Sequence, residues 1–148
     1  MTKVILLTIT ILLFMLDKPV CDEQRMQGQA RNAEVVVLAE VIEVKQAPGF
    51  WSGQLTAMQK VNYKVIKILK GNLNARDIEV AHYVVHNSRS ADSEQPRLSP
   101  KLFKKGQRLV LFLNRDAEKS YVVFDENCGA ILADVEKVKL VQGMISGK

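Results

Sequence analysis

Only two cysteines, four prolines and eight glycines occur among 148 residues. Two cysteines are too few for a mini-protein built on disulfides or for a four-ligand zinc finger. The scarcity of proline and glycine excludes collagen-like and low-complexity chains. His82 and His86 are the only histidines, so little imidazole is on hand for catalysis or metal ligation. No apolar run reaches the roughly 20 residues that a bilayer-spanning helix needs. Val4 to Leu16 stops at 13 residues without a charge, glycine or proline. Nor does one sign of charge dominate, with 21 basic residues against 16 acidic. What is plentiful is apolar side chain, 47% of the whole, enough to exclude a disordered chain. At about 100–200 residues per domain, this length describes one domain.

The first 20 residues stand apart. Lys3 precedes the Val4 to Leu16 run, and Asp17, Lys18 and Pro19 end it abruptly. A short basic start followed by about 7–15 apolar residues is the pattern of a secretory signal peptide. Residues 1–20 are therefore read as a leader, and residues 21–148 as a single folded domain. The cleavage signal is poor, because Lys18-Pro19-Val20 offers no small residue before Cys21. An uncleaved anchor is the alternative, and only then does the protein meet a membrane. Loss of the leader takes away two lysines and one aspartate, so a net charge of +5 becomes +4. The expected location is secreted, periplasmic or elsewhere in the cell envelope. In an oxidising compartment the even pair Cys21 and Cys128 favours one disulfide over two free thiols.

Strand patterns fill the body of the chain. Ala33 to Val44 is apolar and β-branched, and it ends in alternation. Val61 to Leu69 alternates cleanly through Val61, Tyr63 and Val65, then slips phase at Ile66 and Ile68. Such a slip signals a β-bulge, which bends a strand and helps a barrel close. Lys70-Gly71-Asn72 supplies the turn. Asp77 to Val85, Arg108 to Asn114 (entered through Lys105-Gly106) and Tyr121 to Phe124 give three further strands. From Ile131 to Val141 the apolar residues fall at helical spacing between Gly129 and Gly143. Five strands with short turns and one terminal helix predict a mainly β domain, a small antiparallel barrel. The 86–100 stretch has no periodicity and reads as a loop, as does the segment around Phe50-Trp51.

The order of these segments resembles a known module. An apolar leader precedes a cysteine, and AEVVVLAEVIEV, YKVIKILKGN, KKGQRLVLFL and YVVFDENCG then follow before a terminal helix. This looks like the netrin-like module, the OB-fold domain of tissue inhibitors of metalloproteinases and their bacterial relatives. It covers about residues 21–142. The resemblance implies an OB-like barrel of five strands with a C-terminal helix. It also implies a bridge from the N-terminal cysteine to one just before the terminal helix, the places of Cys21 and Cys128. It further implies a protein partner, in that family a metalloproteinase whose zinc is chelated by the first cysteine's α-amino group and carbonyl. Family inhibitors begin Cys-x-Cys, whereas this chain reads Cys21-Asp22-Glu23. Chelation also requires cleavage directly before Cys21. The departures argue against true protease inhibition.

Nothing in the sequence spells an enzyme. His82 and His86 lack a third ligand of known placement, so no metal or other cofactor is expected. Ser88, Ser90 and Ser93 have no nucleophile-elbow context. Glu40, Glu43 and Glu79 read as solvated strand faces. Two binding roles remain, neither with a small-molecule substrate. In the first, Cys21 and the aromatic pair Phe50-Trp51 meet an unidentified protein, since interfaces favour aromatic anchors. In the alternative, Lys60, Lys64, Lys67 and Lys70 hold an anionic polymer, an oligonucleotide or polysaccharide, on a basic strand face. Tyr63 alternates to the opposite face from Lys60 and Lys64, so stacking is not interleaved with charge. Nucleic acid is therefore not the expected ligand of an exported chain.

Overall fold

The computed structural model describes residues 21–45, 56–85, 102–123 and 128–147. In chain order these form α1 (Glu23–Asn32), β1 (Val35–Lys45), β2 (Thr56–Lys70), β3 (Asp77–Val85), β4 (Arg108–Arg115), β5 (Tyr121–Val123), β6 (Ala130–Leu132) and α2 (Val135–Ser146). The strands join in the order β1-β2-β3-β5-β4, and β1 also pairs with β4 to close a five-stranded OB-like barrel. All but one of these pairings are antiparallel. The exception, β3 with β5, is parallel. An odd number of strands cannot alternate direction all the way round, so closure forces one parallel seam. β6 adds to β4 alongside Leu109 to Leu111, beyond the stretch that β5 covers.

β1 and β4 explain their own sequences. Val35, Val37, Ala39 and Val41 face the barrel interior with Leu109, Leu111 and Leu113. Their neighbours Val36, Val110 and Phe112 face outward into a second core, with Met26 and Ala30 of α1 and Val141 of α2. A strand buried on both faces reads as a continuous apolar run rather than as alternation. Each buried valine, leucine or phenylalanine here contributes roughly 1.5–3 kcal/mol. From Lys60 to Lys64, β2 is covered on one face only, and there the alternation is visible: Val61 and Tyr63 are fully buried, whereas Lys60 and Lys64 are exposed. The expected bulge is present. Leu38 pairs with Lys67 and Ala39 with Val65, leaving Ile66 as the extra residue.

Several boundaries differ from the sequence reading. The first strand starts at Val35 because Ala33 is the C-cap of a helix that the sequence did not suggest. α1 is capped by Asp22, whose carboxylate accepts the Arg25 N–H at 2.8 Å. The segment Ile131 to Val141 is not one helix. Its start is β6, and Asp134 then caps α2 by accepting the Lys137 N–H at 2.7 Å. β2 begins at Thr56, earlier than the Val61 expected from alternation. Phe124, expected in the fifth strand, lies outside the described residues.

Gly71 ends β2 with φ +79°. A Cβ there would run into the carbonyl oxygen of Glu34. Gly71→Ala therefore combines left-handed strain with a backbone clash, and an expected loss of about 2–4 kcal/mol would show as a lower denaturant midpoint.

Candidate functional site

Cys21 immediately precedes the α1 cap, and Cys128 leads into β6. Their Cα atoms are 5.2 Å apart and the sulfurs are at disulfide-bonding distance. That Cα separation lies within the range of ordinary disulfides. Cys128 is fully buried in the outer core beside Phe112 and Ile131, and Cys21 is packed against the same cluster. The pair thus fastens the N-terminal end of α1 to the outer wall of the barrel. Because the helix starts at Glu23, the residues after Cys21 turn at once along the barrel surface.

The four lysines of β2 do not act alike. Lys60 forms an ion pair with Glu79 at 3.2 Å, and Lys45 approaches the same carboxylate at 2.9 Å. These contacts hold the Glu79 carboxyl below the usual range, chiefly through the hydrogen bond from Lys45 and then that from Lys60. Lys45 is held above its ordinary value, first by its hydrogen bond to Glu79. Lys70 reaches over α1 and donates to the carbonyls of Ala30 at 3.0 Å and Arg31 at 2.6 Å. A cation on the last carbonyls of a helix satisfies orphan acceptors and complements the dipole. Only Lys64 and Lys67 are left without a partner among the described residues. The basic stripe is therefore divided between an ion pair, a helix cap and two free cations. Lys70→Ala is expected to cost about 0.5–1.5 kcal/mol. Lys67→Ala should leave the denaturant midpoint nearly unchanged.

Glu40 and Glu79 are ion-paired strand-face carboxylates, the former 3.4 Å from Arg108. Glu43 accepts from the Asn62 side chain at 3.2 Å. His82 is placed where the sequence reading did not put it. It is fully buried in the barrel, with Nε2 2.7 Å from the Tyr63 hydroxyl and its ring stacked on Phe103 at 4.5 Å. Burial pushes its pKa down to about 3 and pushes the Tyr63 phenol upward. A histidine–tyrosine hydrogen bond could in principle move a proton, but both side chains have no exposed surface. The pair belongs to the interior. The signal that could have found it is the alternation Ile78, Val80, His82, which sets this histidine on the inward face of β3.

Among the described residues, no three histidine, cysteine or acidic side chains gather as metal ligands. An open groove of about 1010 Å³ lies between α1 and α2, with Gln27, Arg31, Glu136, Lys139, Leu140 and Met144 on its walls. Its lining mixes both charge signs with apolar carbon. Phe50, Trp51, His86 and the serines at 88, 90 and 93 lie outside the described residues.

Fold and site together define a small OB-like barrel whose outer wall carries a helix fastened by a cysteine pair. No protein-family model matches the chain, and no curated protein matches it.

Proposed function

We propose that this protein is an exported, non-enzymatic binding module that meets a protein partner in the cell envelope or extracellular space. The observation that carries the reading is the Cys21–Cys128 pair, brought to bonding distance across 107 residues of sequence. Structural disulfides persist in oxidising compartments and are rare in the cytosol. The leader pattern of residues 1–20 points the same way. The resemblance to the netrin-like module supports a protein partner, because the ordered motifs and a bridge ahead of the terminal helix belong together in that family. A metalloproteinase would be engaged only by a chain that begins at Cys21. The charge pattern favours a protein over an anionic polymer, since Lys60 and Lys70 are committed to partners within the chain.

Intact mass of protein recovered from an exporting host, with and without reductant and alkylation, tests the export step. A species starting at Cys21 and two hydrogens light until reduced is expected. A full-length mass with two alkylatable thiols would overturn the reading. Partner class is tested by a photo-crosslinking residue at Trp51, irradiated in the native compartment. A discrete protein adduct is expected. Retention on heparin that fails steeply with added salt, without an adduct, would instead assign the anionic-polymer role.

A further inference from the structure

β2 outruns its neighbour. β3 pairs with β2 only as far as Lys64 opposite Asp77, and the Val65 N–H then donates to the Arg76 carbonyl at 2.7 Å. Beyond that bond, residues 66–70 keep β1 on one side and have no backbone partner on the other among the described residues. The same short stretch exposes two large apolar side chains, Ile66 at 44% and Ile68 at 40%. An unpaired strand edge with exposed isoleucines is a template for another strand, and folded proteins usually cover or blunt such edges.

We propose that the free edge of β2 from Ile66 to Lys70 is the docking site for an extended, acidic segment of a partner protein, added as a further strand. The proposal rests on the protein-binding reading and names its surface. Backbone groups fix the occupant's conformation, because an edge of this kind hydrogen-bonds to extended chain. Charge fixes its chemistry. Between Lys64 and Asp77 the chain carries four basic residues and one acid. With Lys70 turned onto α1, Lys67, between Ile66 and Ile68 in the strand, has no partner among the described residues. A second copy of this chain would bring the same cations together across the new pairing, and like charges opposite one another are unfavourable. An acidic segment with apolar residues at alternate positions meets both the isoleucines and Lys67. The bulges at Ile66 and Leu69 confine the pairing to a few residues.

The test is an amide-resolved NMR titration of the exported, oxidised protein with a capped peptide of alternating glutamate and valine. The matching lysine–valine peptide is the control. Expected are shifts concentrated on residues 66–70, slowed amide exchange there on binding, and no response to the control. Lys67→Glu, an exposed position that leaves the core untouched, is expected to weaken the acidic peptide by roughly three- to tenfold. The same variant should gain affinity for the basic peptide. Three results would overturn the proposal. Residues 66–70 could already be protected in the free protein, shifts could fall elsewhere or be absent at millimolar peptide, or these residues could shift with protein concentration alone. None of the three touches the outcome of crosslinking at Trp51, so this surface can fail while the module remains a protein binder.

Discussion

Reduction of the Cys21–Cys128 bridge is expected to lower the melting temperature by roughly 10–20 °C. The bridge closes a loop of 107 residues, and the chain-entropy treatment assigns a loop of that length about 4–5 kcal/mol. Cys128→Ala should match reduction more closely than Cys128→Ser. Cys128 is fully buried among Phe112, Ile131 and Val141, where a serine hydroxyl would need a partner. Cys21→Ser, at a half-buried position, separates loss of the link from loss of packing. Scanning calorimetry with and without reductant checks all three. A melt that does not move on reduction would show that the two sulfurs are not bonded in solution.

The loss should not be spread evenly. α1 has ten residues, of which only Met26, Gln29 and Ala30 are buried. A helix this short is marginal without tertiary support. Its other ties include the Asp22 cap, the Lys70 contact with its last carbonyls and the outer core. Hydrogen exchange after reduction is therefore expected to quicken first over Glu23–Asn32, with the β1 and β4 amides still protected.

How far the sequence revealed this fold depends on how many faces each segment buries. The double burial of β1 and β4 produced long apolar runs, and the bulge at Ile66 announced itself as a phase slip in β2. α1 gave almost no periodic signal because its contact stripe is narrow and includes a glutamine. The legible clue was Asp22 followed by Glu23 in the first turn, a start signal rather than a periodicity. The same kind of clue, Asp134, separates β6 from α2, which hydropathy alone fused into one helix. The cysteine pairing was legible from compartment and resemblance, but the helix it fastens was not. Edge exposure on β2 depends on where β3 stops, and no local pattern records that. The lysines illustrate the same limit: identical in type and close in sequence, they divide between ion pair, cap and solvent according to what lies opposite.

Acidification is expected to weaken the fold through His82. In the unfolded chain this imidazole takes up a proton near pH 6.5, whereas in the barrel its pKa lies at about 3. Between those values the unfolded state binds more protons, so stability falls as pH falls, and it is fully retained only above the unfolded pKa. At pH 4.5 the loss relative to neutrality is about 2–3 kcal/mol. The cause is structural. His82 lies between Tyr63 and the face of Phe103 inside the barrel, and among the described residues no carboxylate offsets the desolvation of a cation there. Glu79 adds a smaller loss in the same direction as its depressed carboxyl is protonated, weakened by solvent exposure. His82→Leu alone would strand the buried Tyr63 hydroxyl at about 1–3 kcal/mol and confuse the comparison. Tyr63→Phe combined with His82→Leu removes the polar pair while keeping its volume. Denaturant titrations of both proteins at a series of pH values check this. The wild type should lose stability steadily between pH 6.5 and 4.5, and the double variant should be much flatter over the same range. Equal slopes would mean that His82 is not held neutral by burial.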